Sequence, residues 1–229
     1  MHKYLTLTKC DLYFADRAIL VEGATERILL PQMIKKVDVA LGTNLRQKYL
    51  SVVEIGGAYA HHFYKFIDFL ELKTLFITDL DAVNSKQHHA AVMVSQGDRS
   101  SNVGISKWYG EDGYSDLATI RAKDPGSKIV GCRRLAFQID EDISGLCGRS
   151  FEDAFILVNS DLFQLGNLTG VPLETAVYDK AKEIGKKSKA DFAIEYCISS
   201  ADWLVPKYIQ EGFVWLDEDP DVAVAGVQP

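Results

Sequence analysis

Two apolar runs in this chain each end in carboxylates: Ile19-Leu20-Val21-Glu22-Gly23-Ala24-Thr25-Glu26 and Leu75-Phe76-Ile77-Thr78-Asp79-Leu80-Asp81. Each reads as a buried strand that delivers acids at its C-terminal end. In an open parallel sheet ligands gather at the carboxyl edge of the strands, so Glu22, Glu26, Asp79 and Asp81 are expected to meet there. Four such charges repel one another unless a cation offsets them. Hard oxygen donors suit Mg²⁺ or Mn²⁺. Phosphodiester hydrolysis with two ions about 3.5–4 Å apart needs several carboxylates of this kind. An extended strand end would send Asp79 and Asp81 to the same side.

The elements that must position these residues follow from periodicity. The pattern predicts strand 18–22, helix 25–37, strand 50–55, helix 60–71 and strand 74–78, an alternation that implies a parallel sheet with helices on its faces. Thr25 is a candidate cap for the first helix, with Glu26 in its first turn. Gly56-Gly57 marks a tight turn after the second strand. From Ala82 to about Pro125 the periodicity fades into a long polar loop, of the kind that is often functional or mobile. Residues 133–139 read as another strand, Ser150 as the cap of a further helix, and 172–212 as mostly helical.

Composition narrows the class. With 229 residues and 47% hydrophobic content the chain can bury a substantial core. No apolar run approaches the roughly 20 residues a membrane span needs, and the start MHKYLTLTKCDLYF lacks a signal-peptide build. No membrane contact and a cytoplasmic location are the expectation. Cys10, Cys132, Cys147 and Cys197 are scattered without a C-x-x-C pair, which predicts free thiols. The net charge of −7 argues against a nucleic-acid partner. The distribution matters more: four acids lie at Asp217, Glu218, Asp219 and Asp221 and four more in the proposed cation cluster, while Lys180, Lys182, Lys186, Lys187 and Lys189 form a basic stretch, which by itself decides little because lysines on a helix are usually a solvated face. His61-His62 and His88-His89 lack metal-ligand spacing and read as surface residues. Trp203, Tyr208, Phe213 and Trp215 read as packing.

The pairing of E-G-x-T-E with D-x-D resembles the Toprim signature of topoisomerases, primases and certain nucleases. Arg149-Ser150-Phe151-Glu152-Asp153-Ala154-Phe155, Lys189-Ala190-Asp191-Phe192-Ala193 and Tyr13-Phe14-Ala15-Asp16-Arg17 are similar to the C-terminal Toprim region of OLD (overcoming lysogenization defect) family nucleases, class 2 most of all. The resemblance covers roughly residues 11–200. It implies an α/β fold, a Toprim-like parallel sheet flanked by helices with a C-terminal helical appendage. It also implies a DNA endonuclease that uses two Mg²⁺ or Mn²⁺ ions. Glu22, Glu26, Asp79 and Asp81 would hold metal, Ser150 and Glu152 would complete the second ion's shell from the opposite side, and Lys189 and Glu22 would be catalytic. Lys186 and Lys187 stand as alternatives to Lys189. The implied organisation is an N-terminal lead-in at 1–16, the Toprim domain at 17–160, a helical appendage completing the site at 161–216 and a disordered acidic tail at 217–229.

Family members carry an N-terminal ATPase domain, whereas no G-x-x-x-x-G-K-[ST] motif occurs in this sequence. The chain therefore reads as the nuclease half, with the missing ATPase domain, DNA and a helicase as implied partners and phage defence as the implied setting. No strand-passage tyrosine stands out among the ten tyrosines. Two competing readings remain. Asp79 and Asp81 could be the nucleophile and acid/base of a haloacid-dehalogenase-like phosphatase, which leaves Glu22 and Glu26 without a role; or the chain could be a non-catalytic Toprim scaffold that binds DNA.

Overall fold

The structure is a computed structural model, and it describes residues 7–142, 144–186, 188–198 and 202–219. After a 3-10 turn at Leu7–Tyr13, strand β1 (Arg17–Val21) leads into helix α1 (Ala24–Leu41). Strand β2 (Leu50–Glu54), helix α2 (Tyr64–Leu70) and strand β3 (Thr74–Ile77) follow. The next stretch carries β4 (Ala82–Asn84), β5 (Ala90–Ala91), β6 (Arg99–Ser100), α3 (Val103–Trp108), β7 (Ser115–Asp116) and α4 (Leu117–Arg121). Strands β8 (Ile129–Val130) and β9 (Arg133–Ala136) precede the helices α5 (Phe151–Val158), α6 (Gly170–Lys186), α7 (Lys189–Ile198) and α8 (Lys207–Asp217).

The main sheet has the order β2-β1-β3-β9-β8, with the first four strands parallel and β8 antiparallel at the edge. The chain passes from β1 to β2 on one side and returns to β3 on the other, so strand order reverses between β1 and β3. That is the topological switch point where open α/β sheets bind ligands. Strands β1 and β3 are buried on both faces, which explains their near-continuous apolar runs, whereas the outer strand β2 alternates buried and exposed positions. Ile19, Val21, Leu75 and Ile77 pack with residues of α1, α5, α7 and α8 on one face. Ala18, Leu20 and Phe76 pack with Ile67, Ile105 and Phe137 on the other. Helix α8 lies close on the sheet because Gly212 has no side chain; a Cβ there would sit 2.9 Å from Leu75.

The polar stretch after Ala82 is not a loop. It folds as a four-stranded antiparallel sheet, β5-β4-β6-β7, with two short helices. Its strands are only two or three residues long, too short to show periodicity. The first helix is also capped otherwise than expected: Gly23 occupies the cap position without a side-chain bond, and Thr25 lies inside the helix. The second helical segment opens with a 3-10 stretch at Gly57–Phe63, after Gly56 turns the chain at φ 65°. The helical pattern over 172–212 resolves into α6, α7 and α8. Ser150 caps α5 in a full capping box with Asp153. At the start of the acidic segment Asp217 and Asp219 pair with Lys48 and Asp219 also pairs with Arg17; residues 220–229 lie outside the described residues. The four cysteines are free, Trp203, Tyr208, Phe213 and Trp215 are core residues, and among the described residues no helix is long and apolar enough to cross a membrane.

Glu141 joins the end of the sheet region to α8. Its Oε2 accepts a 2.9 Å bond from the Lys207 N–H, while Oε1 is buried without a partner. Burial pushes its carboxyl up to about 7, against the opposing effect of the Lys207 N–H. A carboxyl that binds its proton more tightly when folded loses stability as pH rises from the ordinary value of 4.5 through 7. Glu141→Gln keeps the acceptor and removes the charge. It should therefore melt higher than the parent at pH 8, by at most ~3 kcal/mol in stability, and the gain should vanish toward pH 4.5. Calorimetric scans of both proteins across that range check this.

Candidate active site at the sheet switch point

Glu22 follows β1 directly, Asp79 follows β3 after Thr78, and the two meet over the switch point. The Asp79 N–H lies 3.4 Å from Glu22 Oε1. The same oxygen accepts from the Thr78 hydroxyl and, at 2.9 Å, from Asn102 Nδ2. Asp79 Oδ1 accepts two 2.8 Å bonds, one from Gln138 Nε2 and one from the Phe151 N–H at the start of α5. Glu26 lies in the first turn of α1 and is buried. Gly23 leaves room for it: a Cβ there would lie 3.3 Å from Glu26 Oε2.

The second group of residues arrives from the far end of the chain. Glu152, buried in the first turn of α5, takes a 3.3 Å bond from Thr25 Oγ1. Lys189 Nζ stands 3.0 Å from Glu152 Oε1 and 3.1 Å from Oε2. Ser150 Oγ reaches Glu152 Oε2 at 3.2 Å and Asp153 Oδ2 at 2.5 Å, so its hydroxyl serves the helix start as well as the site. Lys189 opens α7, whereas Lys180, Lys182 and Lys186 lie on α6; Lys187 is outside the described residues.

Asp81 departs from expectation. Strand β3 stops at Ile77, and Asp81 adopts a left-handed φ of 50°, so the two aspartates do not alternate along an extended strand. Arg149 draws Asp81 aside, with Nη2 2.9 Å from Oδ1 and Nε donating to the Ala82 carbonyl. The Asp81 N–H donates back to the Arg149 carbonyl at 3.0 Å.

Electrostatics divide the acids in two. Asp81 and Glu152 each have a cationic partner. Among the described residues, no Lys, Arg or His pairs with Glu22, Glu26 or Asp79. Burial, seconded by the charges of Glu26, Glu22, Asp81 and Glu152, raises Asp79 well above the usual carboxylate range. Burial also raises Glu26 to about 7, with Glu152 and Glu22 adding to it. Glu22 is raised by burial too, offset in part by Thr78 and Asn102. For Lys189, partial burial is outweighed by Glu152, Asp79 and Glu26, which raise it.

The donor set is hard oxygen throughout, and among the described residues three carboxyls, Glu26 buried and Glu22 and Asp79 half-buried, have no ion-pair partner, the charge of Lys189 reaching Glu26 and Asp79 only from beyond ion-pair distance. That chemistry fits a divalent cation. Among the described residues no three His, Cys, Asp or Glu side chains stand together so as to hold a metal ion as they lie; Asp81 is turned to Arg149 and Glu152 to Lys189. Sequence reasoning missed Thr78, Asn102, Gln138 and Arg149. Asn102 lay in the stretch read as a loop, and Gln138 was one polar residue in an apolar run.

Known proteins resemble the chain in the same region. The family described as "Overcoming lysogenization defect protein-like, TOPRIM domain" matches residues 13–81, which contain both carboxylate motifs. Endonuclease GajA of Bacillus cereus (strain HuB5-5) is 29% identical over 94% of this chain. The chain spans about a third of that relative's length (33%). The C-terminal region of the Burkholderia pseudomallei OLD protein superposes over 93% of this chain and 100% of its own, with a TM-score of 0.51 at 18% identity. The likeness is one of fold.

Repulsion at the inner carboxyls gives a direct test. Asp79→Asn keeps an oxygen to accept from Phe151 and Gln138 but removes the charge. In chelator at pH 8 its melting temperature should rise by a few degrees, the scale of a ~1 kcal/mol change in a domain of this size. A fall of the same size would show that the charge itself supports the fold.

Proposed function

Proceeding from an OLD-like Toprim domain at residues 13–81, we propose that the chain is the nuclease part of a divalent-metal-dependent DNA endonuclease. The observation that carries the reading is the meeting of unpaired Glu22, Glu26 and Asp79 at the switch point, with Glu152 and Lys189 brought to them from α5 and α7. The B. cereus relative is an endonuclease, which points the same way. Its further two thirds of length leave room for the ATPase domain that the resemblance implies. DNA is the proposed substrate, and a helicase partner and a phage-defence setting follow from the resemblance alone.

Glu22, Glu26, Asp79 and Asp81, with Ser150 and Glu152, would hold two Mg²⁺ or Mn²⁺ ions. When bound, such a pair activates water and stabilises the leaving oxygen in phosphodiester hydrolysis. The chain's own part is positional and electrostatic. The α1 and α5 N-termini place their first-turn acids toward the site, and Lys189 sets a fixed positive charge where a scissile phosphate would gain negative charge. Glu22, which bonds across β1 and β3, ties the metal-holding edge to the reacting group. A phosphatase reading would leave Glu22 and Glu26 idle, although they lie in the same family match as Asp79 and Asp81.

Plasmid cleavage across divalent metals tests the reading, with hydrolysis of a small phosphomonoester as the phosphatase outcome and binding without cleavage as the scaffold outcome. Asp79→Ala should abolish cleavage. Lys189→Ala should lower single-turnover cleavage by ~10²–10³ with DNA affinity nearly unchanged. Lys180→Ala and Lys182→Ala should instead weaken binding and flatten its salt dependence by about one counterion each. Normal cutting by Lys189→Ala together with failure of Lys186→Ala or Lys187→Ala would move the role to that lysine.

A further inference from the structure

Two neutral side chains hold the inner carboxylates, and both are buried: Asn102 is 4% exposed and Gln138 is 0% exposed. Their orientation is not arbitrary. Asn102 Oδ1 accepts from the Ile105 N–H at 3.1 Å, capping α3, and Gln138 Oε1 accepts from the Leu80 N–H at 2.6 Å. Because a backbone N–H can only meet the amide oxygen, the NH₂ ends must face the other way. There, Asn102 Nδ2 meets Glu22 Oε1 and Thr78 Oγ1, each at 2.9 Å. Gln138 Nε2 meets Asp79 Oδ1 at 2.8 Å and Tyr208 Oη at 3.3 Å.

The consequence is the same for both acids. Glu22 commits Oε1 to Thr78, Asn102 and the Asp79 N–H. Asp79 commits Oδ1 to Gln138 and the Phe151 N–H. Among the described residues no protein donor meets Glu22 Oε2 or Asp79 Oδ2. Each carboxylate is thus held with one oxygen bound inward and one left for an incoming ligand. A neutral amide does this without supplying a charge that would compete with a cation.

We propose that Asn102 and Gln138 are positioning residues that fix Glu22 and Asp79 in this one-oxygen-out pose and thereby set the affinity of the site for its divalent metal. The inference rests on the metal-dependent reading above. Partners that orient metal ligands from behind alter affinity even though they never touch the ion. Asn102 and Gln138 act on both sides of the switch point, so either substitution should loosen the site. The rate at saturating metal should be largely retained, since neither side chain reaches the reacting atoms.

The test is calorimetric titration of Mn²⁺ into the full chain without DNA, for the parent, Gln138→Met and Asn102→Ser, alongside cleavage rate against Mg²⁺ concentration. Serine retains a cap for α3 but cannot reach Glu22; methionine keeps the length of Gln138 without a donor. Each variant should need ~10–100-fold more metal for half-saturation, with cleavage recovering at high Mg²⁺. A merely structural role would lower the melting temperature and leave the folded protein's metal affinity unchanged, and that result overturns the proposal. If Gln138→Met does not fold, Asn102→Ser decides alone. A parent protein that takes up no Mn²⁺ refutes the metal-dependent reading and this inference with it. Mn²⁺ uptake without DNA cleavage refutes the nuclease reading while the affinities still decide the positioning role.

Discussion

The gathering of buried and half-buried carboxylates at one edge of the sheet is the constraint on which the rest depends. Placing Glu22, Glu26 and Asp79 together without a cationic partner opposes folding, and the surroundings show how that opposition is met. Donors surround the cluster: the Phe151 N–H at the start of α5, the Asp79 N–H, the Thr78 hydroxyl and the two amides. Glu26 lies in the first turn of α1, and Glu152 and Asp153 in that of α5. The positive ends of both helices therefore face the negative edge. These donors lower the cost without cancelling it, as the raised Glu26 and Asp79 carboxyls record.

The opposite edge of the same sheet has the reverse chemistry. Arg17, Lys48 and Lys73 stand at the starts of β1, β2 and β3 and donate to the Leu216, Asp217 and Glu218 carbonyls at the end of α8. Cations at a helix C-terminus complement its dipole and satisfy its last carbonyls. Helix α8 is thus fastened at its end to the base of the strands, while Tyr208 near its start touches Gln138 beside Asp79. One helix spans from the cationic edge to the acidic one, and Gly212 lets it lie flat on Leu75 between them.

How much was legible in the sequence follows from this division of labour. The strand-helix alternation through Ile77 and the acids after each strand could be read because buried parallel strands are written as apolar runs. Ser150 as a helix cap was legible for a local reason, the capping-box spacing to Asp153. The small sheet over 82–116 was not, because its strands of two or three residues carry no period. Asp81 misled for a backbone reason: D-x-D implies a shared face only if the strand continues, and here the chain turns left-handed at the second aspartate. Asn102 and Gln138 escaped notice because their importance lies in partners 80 and 59 residues away.

The position of Lys189 shows which forces set the site's geometry. Its side chain is 53% exposed, against 4% for Glu152, and an ion pair open to solvent on one side contributes little by itself. What fixes the lysine is the packing of the helix it begins. Phe192 and Ala193 are buried, and Phe155 of α5 meets Phe192 at 5.5 Å and Tyr196 at 5.1 Å between ring centroids, both edge-on. Phe155 lies one turn beyond Glu152 on α5, and Phe192 one turn beyond Lys189 on α7. The aromatic contact therefore sets the spacing of the two helix starts, and with it the distance from ammonium to carboxylate. The charge pair is a result of apolar packing, which is why residues more than thirty positions apart can form one end of the site without strong attraction between them.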